Sequence, residues 1–314
     1  MLYDLHVHSD LPVLGSSFRR WVHGLNFDQE TGFFIVTFYD IPFPSRKAGY
    51  RRLLGSIESF VREHLDDIHI GRGKRVRKFA ISIESARLIP GPEAIEKLYQ
   101  LGVRSIQPLH FFDNQYGHSC GEGLWPVSAQ GLTRRGQEFL KEMDRYGMIL
   151  DFAHMNAPTM ADALAAYSGP VMCSHTGLFS LKKNERNLRE EIAREIFKRK
   201  GVIGVMPWRA VLAKPHWSAN QWQDRYAEVL TRLIELGGER GVCIGSDRGA
   251  PLWIPRWFYR KNGLQGLREA LIRQGYSEKV WTQICFTNAM EFLTKVLGGS
   301  GLPILPHNVT STGL

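Results

Sequence analysis

Eight short apolar or β-branched runs recur along the chain, with helix-length stretches between most of them. They are Leu2 to His8, Phe33 to Phe38, Phe79 to Glu84, Val103 to Leu109, Met148 to His154, Pro170 to His175, Val202 to Met206 and Val242 to Asp247. Runs of this length bounded by turn residues read as strands, and strands alternating with helices make a parallel sheet that the helices cover. Eight such units are the count of an α/β fold of the (β/α)8, TIM-barrel type. Two of the intervening helices are legible in detail. Ser45 to Leu65 carries Tyr50, Leu53, Leu54, Ile57, Phe60 and Val61 on one stripe, and Thr133 to Tyr146 carries Phe139, Leu140 and Met143, with Gly147 placed to stop it. The segment from about Gly263 to Gly298 reads as helical cover for the outside of the barrel. With no internal repeat, a single domain over residues 1–300 is expected, followed by a loose tail over 301–314.

The 314 residues, 43% hydrophobic and 23% charged, can bury a large core. No segment approaches an uncharged apolar stretch of about 18 residues, and the start has no basic and apolar leader pattern, so a soluble cytoplasmic chain with no membrane association is expected. Cys120, Cys173, Cys243 and Cys285 lack CxxC spacing and read as reduced, buried thiols. The formal charge of +9 is scattered over Arg51-Arg52, Arg72 to Lys78, Arg134-Arg135 and Lys182-Lys183. No nucleic-acid recognition motif accompanies it, so no nucleic-acid partner is expected.

In such barrels the working residues sit at the C-terminal ends of the strands. Here strand one ends in His6 and His8, which alternation places on one face, strand three in Glu84, strand four in His110, strand five in His154, strand six in His175 and strand eight in Asp247. Imidazoles and a carboxylate suit zinc or a similar divalent ion, and a glutamate on a neighbouring strand can bridge two ions. Bridged metals acidify a water and polarise a carbonyl, which points to hydrolysis of an amide or ester. Asp247 is placed to move protons or to hold a substrate ammonium, and His110, if free of metal, to stabilise an oxyanion.

Taken alone, Asp4 to Ser9 is similar to the opening of PHP-type phosphoesterases, and Gly245-Ser246-Asp247 to their closing motif. Those enzymes carry a histidine two residues after that aspartate, where this chain has Gly249. A longer set of motifs points elsewhere: Ser82-Ile83-Glu84, Gly131-Leu132-Thr133 with Gly136, Arg145 through Asp151-Phe152-Ala153-His154, Cys173-Ser174-His175, Arg186-Asn187 and the Asn288 to Leu297 segment. In order and spacing these resemble the renal (membrane) dipeptidase family of zinc peptidases, over nearly the whole chain. The resemblance implies two zinc ions, one on His6 and the residue at position 8, one on His154 and His175, with Glu84 bridging. It implies that His110 contacts the scissile group, that Arg186 grips the substrate's free carboxylate, and that Asp247 meets its amino group and serves in proton transfer. A guanidinium suits that grip because its planar fork matches a carboxylate. The implied substrate is a dipeptide or peptide-like small molecule, and the implied assembly a homodimer.

Three departures bear on substrate and metal. The family has His-x-Asp at the first site where this chain has His8, one negative charge fewer. Its Ser-Ile-Glu-Gly-Gly reads Ser82-Ile83-Glu84-Ser85-Ala86, which stiffens the turn beside the bridging carboxylate. Its Gly-Asp-Phe-Asp-Gly reads Gly245-Ser246-Asp247-Arg248-Gly249, with a cation that would repel an ammonium or receive another carboxylate. Two aromatic-rich loops, with Trp208, His216, Trp217 and Trp222 in one and Trp253, Trp257, Phe258 and Tyr259 in the other, would wall a pocket or cover the barrel mouth. His118, Cys120 and Asp113 line the pocket or are ordinary loop residues. Alternatives to a dipeptidase-like hydrolase are an amidohydrolase on a non-peptide amide, lactone or modified amino acid, and a non-catalytic ligand-binding barrel.

Overall fold

The computed structural model describes residues 3–8, 33–39, 45–63, 68–71, 74–77, 79–123, 125–212, 217–247 and 263–296. Every expected strand is present: β1 (Tyr3–His8), β2 (Phe33–Tyr39), β5 (Phe79–Glu84), β6 (Val103–Gln107), β7 (Ile149–Asp151), β8 (Val171–Thr176), β9 (Val202–Val205) and β10 (Val242–Ile244). All of their pairings are parallel, in the order β1-β10-β9-β8-β7-β6-β5-β2, and β1 pairs with β2 as well as with β10, so the sheet closes on itself. A further antiparallel hairpin, β3 (Ile68–Gly71) with β4 (Lys74–Arg77), lies between β2 and β5. It was missed because Lys74-Arg75-Val76-Arg77 reads as a charge run, not as a strand.

The helices form where the apolar stripes place them. Arg46–Glu63 buries Leu53, Leu54, Ile57, Phe60 and Val61. Arg134–Arg145 buries Phe139, Leu140 and Met143, is capped by the Thr133 hydroxyl accepting from Gly136 N at 2.9 Å, and ends at Gly147, whose φ of 60° a glycine adopts without strain. The C-terminal segment differs from expectation. It is broken into Gly263–Arg273, Glu278–Thr282, a π-helical turn Gln283–Thr287, and Asn288–Val296. The last piece joins an inner cluster instead of lying wholly outside. Ala289, Phe292 and Leu293 pack with Tyr3, Leu5, Ala80, Ile149, Met172, Val202 and Cys243, all but Cys243 in the first halves of their strands. That apolar cluster fills the end opposite the polar rim. The tail 301–314 lies outside the described residues.

No helix among the described residues is long and apolar enough to cross a membrane. All four cysteines are buried and unpaired with one another, as their spacing implies.

Candidate metal centre

The polar rim is built on one local device used twice. In Asp4-Leu5-His6, Asp4 Oδ1 accepts from His6 N at 3.1 Å and, across to the segment after β10, from Ser246 N at 2.8 Å. In Asp151-Phe152-Ala153-His154, Asp151 Oδ1 accepts from Ala153 N at 3.1 Å and, across to β8, from Ser174 N at 2.9 Å. Burial raises the pKa of both carboxyls against the pull of these hydrogen bonds. The first clamp sets His6 beside Asp247 and the second sets His154 beside His175. Close strand approach completes the frame: a Cβ at Gly204 or Gly245 would collide with the Ser174 carbonyl oxygen.

Glu84, at the end of β5, stands between the two clamps. Its Oε1 lies 3.2 Å from His154 Nε2, 3.5 Å from His110 Nε2 and 3.9 Å from His175 Nε2, while its Oε2 lies 3.7 Å from His6 Nε2. Gln107 Nε2 donates to Glu84 Oε1 at 3.2 Å and so fixes the carboxylate plane. The two Nε2 atoms of His154 and His175 face each other at 3.0 Å, and Ser174 Oγ sits 2.7 Å from His175 Nδ1. Burial, then the charges of His6, Arg186 and His154, push the His175 pKa well below the ordinary value, which leaves a neutral imidazole with a lone pair to give. Asp247 Oδ1 is 3.8 Å from His6 Nε2 and is the most exposed of this set, at 15%.

Among the described residues five non-glycines have left-handed φ, and four of them are on this rim: Ser85 at 70°, Glu122 at 55°, His154 at 65° and Asp247 at 58°. Such backbone persists only where the surroundings over-determine it, and it concentrates at functional sites. Ser85 occupies the place where the resembled motif carries glycine. Its hydroxyl accepts from Arg87 N at 3.3 Å and its own N–H donates to Gln107 O at 2.9 Å, which hold a conformation glycine would adopt freely.

The sequence missed Glu122. It lies on the loop after β6, between Gly121 and Gly123, and is 3% exposed. Its Oε1 pairs with His154 Nδ1 and its Oε2 lies 3.4 Å from Arg186 Nε. Burial raises its pKa, but His154, Arg186 and His110 outweigh that and hold the carboxyl at about 2. For His154, burial and Arg186 push the pKa down while Glu122 and Glu84 push it up, and the net direction is up. An acid between two glycines, in a loop of polar residues, was the only signal of this role in the sequence. Arg186 itself is 2% exposed, with Nη2 2.9 Å from His175 O and 3.1 Å from His154 Nε2.

Of the remaining candidates, Asp113 Oδ2 pairs with His118 Nδ1 at 2.7 Å, and Cys120 Sγ lies 3.4 Å from Glu122 Oε1, its thiol pushed up by burial. Trp222 is buried, and Trp208 and Trp217 pack partly buried against the core, so these three serve as hydrophobic cover. Phe112 and Trp125, with rings 6.1 Å apart, are the exposed large aromatics among the described residues. The side chain of His8, His216, Arg248, Gly249 and the segment with Trp253, Trp257, Phe258 and Tyr259 lie outside the described residues.

The donor set fits a divalent ion. Glu84, His154 and His175 offer ligand atoms all within 4.8 Å of one another, as do His6, His175 and Asp247. Imidazole nitrogens converging on a shared carboxylate are the ligands zinc and its neighbours take, and a cation among them satisfies lone pairs that N–H donors alone cannot all serve.

The model of the membrane dipeptidase family, peptidase family M19, matches residues 57–297. The chain belongs to that family. Membership implies a divalent metal cofactor, for which the groups just described are the candidate ligands. An uncharacterised dipeptidase of Schizosaccharomyces pombe is 30% identical over 169 residues, a match spanning 54% of this chain and only 40% of that relative's length. A protein encoded in the pqqA 5′ region of Klebsiella pneumoniae is 28% identical over 235 residues, covering 73% of this chain and 86% of that one. The fold is also that of a metallopeptidase from Rhodobacter sphaeroides solved with a phosphinate mimic of the dipeptide L-Ala-D-Ala. There the TM-score is 0.74 at 21% identity, over 94% of this chain and 99% of the other.

Proposed function

We propose that this M19 member is a (β/α)8 metal-dependent hydrolase that cleaves a small amide bond in a dipeptide or peptide-like metabolite. The observation that carries the reading is the division of Glu84: one carboxylate oxygen faces His154, His110 and His175, the other faces His6, all within 4 Å. A carboxylate so divided would suit a two-ion centre, in which His154 and His175 would hold one zinc ion and His6 and His8 the other. When bound, the ions supply an acidified water and a Lewis acid for the scissile carbonyl.

The chain's own residues do the rest. Asp247, at the more open edge, takes and returns the proton or meets the substrate ammonium, and His110, within 3.5 Å of Glu84, donates to the oxygen that gains charge. His8 leaves the first site one negative charge short of the family pattern, so an ion on the His6 side would be held more weakly than one on His154 and His175.

Metal analysis of protein purified without added metal, paired with a dipeptide screen before and after chelation, tests the reading. Two ions per chain after zinc reconstitution and chelator-sensitive cleavage are expected, with the His6-side ion lost first. Retained metal with no cleavage of any dipeptide, free or blocked, would discard the proposed activity.

A further inference from the structure

We propose that Glu122 is a built-in carboxylate that occupies Arg186 in place of a substrate carboxylate, so that this chain selects peptide-like substrates whose corresponding end is uncharged. The inference rests on the hydrolase reading above and concerns only which substrates that site admits.

One edge of the guanidinium already faces a carboxylate of the chain itself. Arg186 presents Nε to Glu122 Oε2 at 3.4 Å and donates from Nη2 to His175 O at 2.9 Å. Both side chains of the pair are buried, at 1% and 2% exposure. A substrate carboxylate entering here would have to pull Glu122 off the guanidinium inside a buried space, or lie beside it as a second anion on one guanidinium. Either is costly in a poorly hydrated site.

Glu122 is also held against swinging aside. Its second oxygen pairs with His154 Nδ1 and receives Cys120 Sγ at 3.4 Å. The loop that carries it is pinned to the end of β7 by Cys120 N donating to His154 O at 2.9 Å, and Ser119 Oγ accepts from Gly121 N at 3.2 Å. A carboxamide or other neutral end would pass this pair without charge conflict.

Calorimetric titration of the zinc-loaded full chain with two phosphinate dipeptide mimics, one ending in a carboxylate and one in a carboxamide, decides the matter. Wild type is expected to bind the carboxamide at least as tightly as the carboxylate. Glu122→Gln keeps a carbonyl for His154 but frees the Arg186 charge, and should raise affinity for the carboxylate relative to the carboxamide by roughly tenfold to a hundredfold. Glu122→Asp should keep the wild-type ranking. Metal content and melting of both variants are measured alongside, and if Glu122→Gln fails to fold, wild type and Glu122→Asp decide. A tenfold wild-type preference for the carboxylate, or equal shifts for both mimics in Glu122→Gln, would overturn the inference while leaving the hydrolase reading standing. Failure of metal-loaded wild type to bind either mimic would overturn both.

Discussion

On the β1–β10 side of the rim, Asp4 ties His6 to the segment that carries Asp247; on the β7–β8 side, Asp151 ties His154 to the strand that carries His175. The clamps are nearly superimposable as chemistry, each a buried carboxylate oxygen shared by two backbone N–H groups at 2.8 to 3.1 Å. Their surroundings are not. The β7–β8 side is closed by Glu122 and Arg186, both buried, whereas Asp247 on the other side keeps 15% of its side chain exposed. The backbone device therefore sets where these histidines and carboxylates stand, and their neighbours decide charge and burial: one side is closed by a buried ion pair, the other keeps a carboxylate partly exposed.

The largest effect belongs to the residue both sides share. Glu84→Gln should lower turnover by about 10³-fold with the fold intact, because it removes the charge between the two histidine sets. A small loss, or loss of metal from one side alone, would break the picture of a shared bridge. Next come the clamps themselves. Asp151→Ala and Asp4→Ala each leave two N–H groups without their acceptor and should each cost about 2–4 kcal/mol in denaturant melts of metal-free protein, with the Asn variants costing far less. Unequal costs would mean that the two clamps are alike only in outline.

Smaller effects sharpen the contrast between strained and relaxed backbone. Ser85→Gly should stabilise by up to about 1 kcal/mol in the same melts, since φ of 70° costs glycine nothing, less what the hydroxyl's bond to Arg87 N contributes. Smallest is a control beyond both clamps, on the helix after β8. The Arg232 hydrogen bonds, with Ser180 and Arg194, hold the Glu190 carboxyl below its ordinary value. A depressed acid stabilises fully above the unfolded-state pKa near 4, and that contribution disappears as the pH falls through the folded value. Glu190→Gln should thus cost about 0.5 kcal/mol at neutral pH and nothing in strong acid, with no change in metal content.

Much of this was legible in advance because the signals are local. Strand runs such as Phe79–Glu84, the stripe of Arg46–Glu63 and the Thr133 cap follow from periodicity and capping chemistry, and the rule that working groups sit at strand ends picked out His6, Glu84, His110, His154, His175 and Asp247. The hairpin at 68–77 was hidden because its pairing partners are each other and its residues are basic. Asp4 and Asp151 stood inside motifs but had no visible task, since the N–H groups they serve belong in part to Ser246 and Ser174, 242 and 23 residues away. Glu122 was hidden for the same reason, as its partners His154 and Arg186 lie far along the chain, in the segments after β7 and β8.

The sequence by itself determined the α/β architecture, the family and most of the groups that the fold gathers on one rim, because alternation, helical period and motif spacing are properties of neighbouring residues. Only the tertiary structure decided how charge is shared among those groups. Burial and distance between residues far apart in the chain set whether Arg186 waits for a substrate or is already held by Glu122.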